Sequence, residues 1–418
     1  MASQRPAPRS APSRAAPAAG PATSVPAPAW LPWALLALTL AAWMIGVRGD
    51  VLRPSSYAHD TWLADAFLHG QLHLYRVPDD AGDMAQVGQK LYVVFGPFPA
   101  LLLMPLVPFL ARETPDVLVL ALTALVGVWA FLRLLVVLGV PGGRVRLACA
   151  TLTFALGTAM HYGAAMGNVW LHAQITATTL QVCALLAAAS GRPLATGVLL
   201  GLTVLTRPTT TLAAPFAAWL LWSRGERVAD ATRPGVRAWL ALSLPVVAAA
   251  ALHAVYNQAR FGSPTDAGYH YILMGPDFEA LVKRYGRFSP HFLMGNVRGW
   301  LWRAPYWNGS AIVPDPHGMS LLLTTPWLLL ALWPRKVSRL EWLALANFAL
   351  ISVPSLLYYN DGWVQFGQRF ALDGIALALL AASCGAARAP LPLVLLLTGW
   401  GVGVGAWGLQ WFKANFLH

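Results

Sequence analysis

PSSYAHDTWLADAFLHGQLHLY, residues 54–75, runs into an acidic turn, PDDAGD (78–83), and then into QKLYVVFGPFP (89–99). It is the first polar stretch after an apolar segment at 30–47, and it is dense in Asp, His, Tyr and Trp. Most of the remaining chain consists of apolar blocks near the ~20 residues needed to cross a bilayer. Charges beside hydrocarbon are costly, so a polar cluster between apolar helices marks a functional site. The expected fold is an all-α polytopic integral membrane protein whose polar segments gather on one side of a helical bundle.

Composition supports this. The chain is 57% hydrophobic and 11% charged, whereas a soluble domain carries about 25% charged residues. The net charge of +12 is not a nucleic-acid signature. The basic residues sit at helix ends and short links, where Lys and Arg set topology. Cys149, Cys183 and Cys384 lie in apolar segments with no shared ligand spacing, so they read as small hydrophobes. Residues 1–29 are Ala, Pro, Ser and Arg without an apolar period, which predicts a disordered tail. Its Arg5, Arg9 and Arg14, with no acid, place it in the cytoplasm.

About eleven spans are expected, at 30–47, 92–111, 116–138, 146–164, 171–190, 194–222, 238–255, 319–333, 341–357, 370–386 and 391–411. Together they make one transmembrane domain, 30–412, with outer loops 48–91, 256–318 and 358–369. Within the first loop, Thr61 to Tyr75 reads as an interfacial helix anchored by Trp62, Leu63, Phe67 and Leu74. Pro97, Pro99, Pro105 and Pro108 must kink the second span or make its start irregular. Thr206-Arg207-Pro208-Thr209 breaks the 194–222 run into a kinked helix or two short ones. Counting crossings puts the links 223–237, 335–340 and 386–389 inside and all three polar stretches outside. One conflict remains. GGRVR at 142–146 falls outside, against the positive-inside rule, unless 92–111 fails to cross.

Several residue groups carry chemistry. Asp60 and Asp65 flank Trp62 and are the candidate catalytic carboxylates; Asp79, Asp80 and Asp83 read as a solvated turn. A carboxylate at the membrane surface suits a general base or a metal ligand. Asp65, His69 and His73 fall at i, i+4 and i+8, a spacing that admits a divalent metal or the wet face of an interfacial helix. The cofactor is left open, with a divalent metal as the candidate. Lys90 stands at the mouth of the FGPFP segment, as a phosphate contact or an interfacial anchor. Arg207, inside an apolar run, needs an anion, a carbonyl or water. GWVQFGQRFALD (362–373) offers Trp363, Gln365, Gln368 and Arg369; the guanidinium suits a phosphate, or pairs with Asp373 one helical turn on. YNQARFGSPTDAGYHY (256–271) offers Arg260, Tyr269 and Tyr271 for a sugar site, or caps the bundle as a packed loop. The Asn308-Gly309-Ser310 sequon is a weak motif. With no Walker loop, dinucleotide fingerprint or HExxH, a nucleotide-fuelled enzyme is disfavoured.

Taken in order, LADAFLHGQL, YVVFGPFPALLLMP, LTRPTTTLAAPF, YNQARFGSPTDAGYHY, LLLTTPW and GWVQFGQRFALD resemble segments of the GT-C superfamily of membrane glycosyltransferases. The nearer likeness is to bacterial relatives of the dolichyl-phosphate-mannose–protein mannosyltransferases, and it covers most of residues 30 to 390. The resemblance implies a polyprenyl-phosphate-linked sugar as donor, inverting transfer outside the cytoplasmic membrane, and a catalytic aspartate in the first loop. The register of the family's acidic pair falls here on Ser56 and Tyr57. The role then passes to Asp60 in a shortened loop, or to Asp65, or the usual base is absent. The expected function is sugar transfer to a glycan, lipid or protein acceptor at the inner membrane. Lys90, Arg207 and Arg369 would hold the lipid phosphate, and Tyr269, Tyr271 and Trp363 would shape the sugar pocket. A lipid-linked sugar flippase or other transporter is the alternative, and it predicts midplane charges and repeated halves. A non-catalytic assembly protein is the third reading.

Overall fold

The computed structural model describes residues 29–47, 50–75, 82–228, 231–272, 274–362 and 364–416. The tail up to residue 28 lies outside the described residues, as do Asp79, Asp80 and Trp363.

The chain opens with α1 (Leu31–Val47), the short α2 (His59–Leu68) and a hairpin of β1 (Met84–Val87) with β2 (Lys90–Val93). Then come α3 (Asp116–Val137), α4 (Gly143–Leu156), α5 (Met160–Met166) and α6 (Val169–Ala189). Next are α7 (Pro193–Val204), α8 (Ala214–Trp222) and α9 (Val236–Phe261). The long outer loop folds as α10 (Pro276–Tyr285), α11 (Pro290–Trp302) and a second hairpin, β3 (Tyr306–Trp307) with β4 (Ile312–Val313). The chain closes with α12 (Arg339–Leu356), α13 (Ile375–Ala386) and α14 (Leu391–Phe416). The fold is mainly helical, and the two hairpins correct the all-α expectation.

Among the described residues, four helices are long and apolar enough to cross a membrane: α3, α6, α9 and α14. This makes a multi-pass membrane protein. The other expected spans are shorter or broken, and the reasons are local. Residues 92–111 hold only Phe98–Leu103 and Val107–Leu110 as helix. Their prolines remove backbone donors and clash with the preceding turn. Residues 319–333 form one turn, Leu321–Thr324, and a 3-10 segment, Pro326–Leu332, divided at Pro326. The 146–164 span divides at Gly157 into α4 and α5. Between α7 and α8, Arg207 is extended and Pro208–Ala213 is 3-10, so the run breaks where its sequence indicates.

The charge conflict turns on which end of the bundle holds link 142–146. Arg146 donates to the carbonyls of Ala386 (2.7 Å) and Ala389 (2.9 Å), so link 142–146 lies at the same end as link 386–389. A hollow of about 210 Å³ there is lined by Pro141, Arg335 and Arg388, which brings in the third basic link. At the other end the three polar stretches are knitted together. Ala85 bridges to Ile272, Phe288 to Tyr358, and His317 to Gln365.

α6 is the axis. Of its apolar stretch 89% is buried, against 11% for α9, whose Val236, Leu244, Val247 and Val255 face outward. A helix so enclosed must satisfy its own polar side chains. Gln181 donates to the carbonyl of Asp373 (2.6 Å) and Thr178 to that of Leu372 (3.0 Å). Those bonds clamp the 3-10 turn Arg369–Asp373 against the axis.

Candidate functional site

Asp60 sits in the first turn of α2, where the helix dipole favours a carboxylate. The apolar side of α2, including Leu63 and Ala64, packs into a core cluster with Leu103 and Val169. That packing carries Asp60 inward until it is 2% exposed. Its Oδ2 meets Nδ1 of His172, in the first turn of α6, at 2.8 Å. His172 is equally buried. Asp60 Oδ1 and His172 Nε2 have no hydrogen-bond partner among the described residues. Burial pushes the Asp60 carboxyl above the ordinary aspartate range, and the hydrogen bond and charge of His172 pull against that rise. Two anchors fix α2 over α6. Asp116, opening α3, accepts from Ser55 N (2.7 Å) and Ser55 Oγ (2.6 Å). Val169 N donates to the carbonyl of Tyr57 (3.1 Å), and the Tyr57 and Trp170 rings lie 4.9 Å apart.

Asp65 is placed differently. It is half-buried and faces His69 at 3.4 Å. The helix stops at Leu68, and Gly70 takes a left-handed φ of 67°, so the expected helix to Tyr75 is cut short. His69 stacks on Tyr75, and His73, past the helix end and beside Tyr92, shares no helical face with Asp65. Among the described residues no three His, Cys, Asp or Glu side chains are grouped to hold a metal.

Arg369 opens the turn ahead of α13 and is 6% exposed. Its guanidinium lies over the rings of Phe370 (4.9 Å) and Trp170 (5.7 Å), and its Nε has no partner among the described residues. No ion pair with it is found among them. Burial brings its pKa down to about 10, which leaves it charged at neutral pH. The groups whose charge reaches it include Tyr162, Arg207, Asp83 and Tyr358. Asp83, in the first loop, is thus the acid nearest in effect, where the sequence suggested a solvated turn. Both groups meet the start of α6 from different sides: Trp170 lies under Arg369, and His172, two residues on and so turned away from Trp170 on the helix, holds Asp60.

The alternative Arg369–Asp373 pair does not form, because residues 369–373 are 3-10 and not α-helical. Asp373 belongs to Arg207, whose Nε lies 2.7 and 2.8 Å from its two oxygens, and Thr209 Oγ1 adds a bond at 2.9 Å. Arg207 is therefore structurally paired. Gln365 donates to the carbonyls of His317 (2.9 Å) and Asp361 (2.6 Å) and accepts from Arg369 N (3.0 Å). Gln368 donates to the carbonyl of Gly318 (2.9 Å). Both glutamines thus hold the loop that presents Arg369. Arg260 is spent on the carbonyl of Val93 (2.7 Å) and on Asn257 (2.9 Å), tying the end of α9 to β2. Tyr269 lies within electrostatic reach of Arg207, Tyr359, Arg287 and Arg260. Tyr271 stacks on Phe261, and Lys90 is exposed at the start of β2 near His73. A hollow of about 10 Å³ adjoins Gln368 and Ala371, and the larger one is at the basic end. Neither lies between Asp60 and Arg369.

Sequence reasoning missed His172, Trp170, Asp116 and Ser55. The available signal was a histidine one turn into an otherwise apolar helix, where a buried polar group requires a partner.

No family model matches the chain, and no curated protein sequence does. Solved structures match in part. ArnT from Cupriavidus metallidurans, bound to undecaprenyl phosphate, is 13% identical at a TM-score of 0.47, covering 87% of this chain and 61% of that one. The apo oligosaccharyltransferase of Archaeoglobus fulgidus is 14% identical at 0.44, covering 93% and 59%. The chain spans about three-fifths of the length of these structures. These likenesses are partial and lie in the fold alone.

Proposed function

We propose that the protein is a glycosyltransferase that moves a sugar from a polyprenyl-phosphate donor to a glycan, lipid or protein acceptor on the outer side of the cytoplasmic membrane. One observation carries this: the described residues bury a guanidinium with no ion pair among them, Arg369, and a carboxylate with one open oxygen, Asp60. A buried cation without an anion is strongly unfavourable. A ligand phosphate supplies that anion in a geometry that suits Arg369. In the reaction, the acceptor oxygen bonds the sugar's anomeric carbon as the bond from that carbon to the phosphate oxygen breaks. The electron pair leaves with the lipid phosphate, beside Arg369. The acceptor's proton passes to Asp60 Oδ1. Asp60 is the base in this reading, because Asp65 lacks both the burial and a buried partner that fixes one oxygen.

The test is transfer from labelled polyprenyl-phosphate hexoses by the purified protein in liposomes, with Asp60→Asn and Arg369→Ala alongside. Transfer by the parent and its loss in both variants supports the reading. Full activity in both variants, or no transfer from any donor, overturns it.

A further inference from the structure

Resting on the glycosyl-transfer reading, we propose that His172 is the positioning residue for Asp60: it holds one carboxylate oxygen fixed so that the other receives the acceptor's proton. His172 Nδ1 is the only hydrogen-bond partner of the Asp60 carboxylate among the described residues, at 2.8 Å. No other hydrogen bond there fixes which way the carboxylate turns. A neutral imidazole that donates from Nδ1 carries its lone pair on Nε2, so the pairing also sets the tautomer.

The imidazole is well placed for this task. His172 lies in the first turn of the most enclosed of the four long apolar helices, and its backbone N donates to the carbonyl of Asn168 (2.8 Å). The other ionisable groups within reach do not replace it. Asp116 acts on His172 from the start of α3, but both its oxygens are taken by Ser55. Tyr256, on α9, feels the charge of Asp60 without a hydrogen bond to it. Asp60 reaches α6 from 112 residues away in sequence, so the pair also fixes where α2 rests on the bundle.

His172→Ala and His172→Asn test this in the full-length protein, since the asparagine amide can stand where Nδ1 stood. Two readouts are needed. In kinetics, His172→Ala is expected to lower kcat about 10²-fold, as misplacement of a catalytic group does, with the donor KM unchanged; His172→Asn restores much of kcat. In infrared difference spectra, the protonated-carboxyl band identified by its loss in Asp60→Asn titrates at higher pH in His172→Ala, because the hydrogen bond that opposed its rise is gone. A folded His172→Ala protein whose Asp60 band does not move overturns the proposal, as does an Asn variant no better than the Ala variant. If the parent transfers no sugar from any donor, the functional reading fails on its own. The infrared titration still decides whether His172 holds Asp60.

Discussion

Two buried aspartates face each other's function across this site. Asp373 is 1% exposed and Asp60 is 2% exposed. Asp373 is closed: Arg207 and Thr209 take its oxygens and Gln181 its carbonyl. Asp60 is open, with one oxygen on His172 and the other without a partner among the described residues. The same split separates two buried cations, since Arg207 is paired with Asp373 and Arg369 has no ion pair among the described residues. Burying a charge is tolerated when its bonds are complete. An incomplete set at the same depth needs a ligand, water or a reaction to account for it. The closed pair reads as scaffold and the open pair as chemistry.

The sharpest way to break this contrast is to neutralise each carboxylate in turn. Asp60→Asn is expected to cut transfer by about 10²–10⁴-fold, the usual share of a general base, while the melting temperature holds. Asp373→Asn strands Arg207 in the bundle and is expected to lower stability by about 3–5 kcal/mol, read as the shift of the unfolding midpoint in detergent. Exchanging the whole pair, Arg207→Met with Asp373→Leu, should recover much of that loss, because no unpaired charge remains. If Asp373→Asn leaves stability intact and abolishes transfer, the two labels must be exchanged.

The pH dependence sharpens it further. Burial raises Asp60 above the ordinary aspartate value, so its protonated form is the one the fold favours. Its contribution to stability is full below the unfolded-state value and is lost as pH rises through the folded one. Asp60→Asn removes that loss. The variant is expected to be at least as stable as the parent at neutral pH, with the difference closing as the pH falls through the range between the two values. The base, in contrast, works only when ionised. The acid limb of the transfer rate should therefore lie above the range of an exposed aspartate, and a limb at the ordinary value would remove Asp60 as base.

The sequence showed where polarity collects but not how it pairs. The first loop, the 256–318 loop and the 358–373 stretch stood out as polar islands, and three backbone bridges join them. Asp60 and Arg369 could be picked singly, since a charge in an apolar setting is visible in one dimension. Their partners could not. His172 is 112 residues from Asp60, and Asp373 is 166 residues from Arg207. Neither separation leaves a periodic trace. Nearer in sequence, the Asp65, His69 and His73 spacing suggested a shared face, but the helix ends at Leu68. Hydropathy likewise counted 92–111 as a span because it weighs side chains. Proline acts on the backbone, and four of them decided the segment.

The basic end supplies the smallest test and a control for the rest. Ser338 caps α12. Its Oγ accepts from Glu341 N, and the Glu341 carboxylate accepts from Ser338 N (2.8 Å) and pairs with Arg335. Here the side chains serve helix ends and links, as topology-setting charges do. Ser338→Ala removes the Oγ acceptor but leaves the backbone half of the box, so the expected cost is about 1 kcal/mol. Transfer should be unchanged at a temperature where both proteins are folded. If this remote cap lowers kcat as much as His172→Ala does, activity follows the rigidity of the whole bundle, and the assignment of chemistry to the open pair loses its basis.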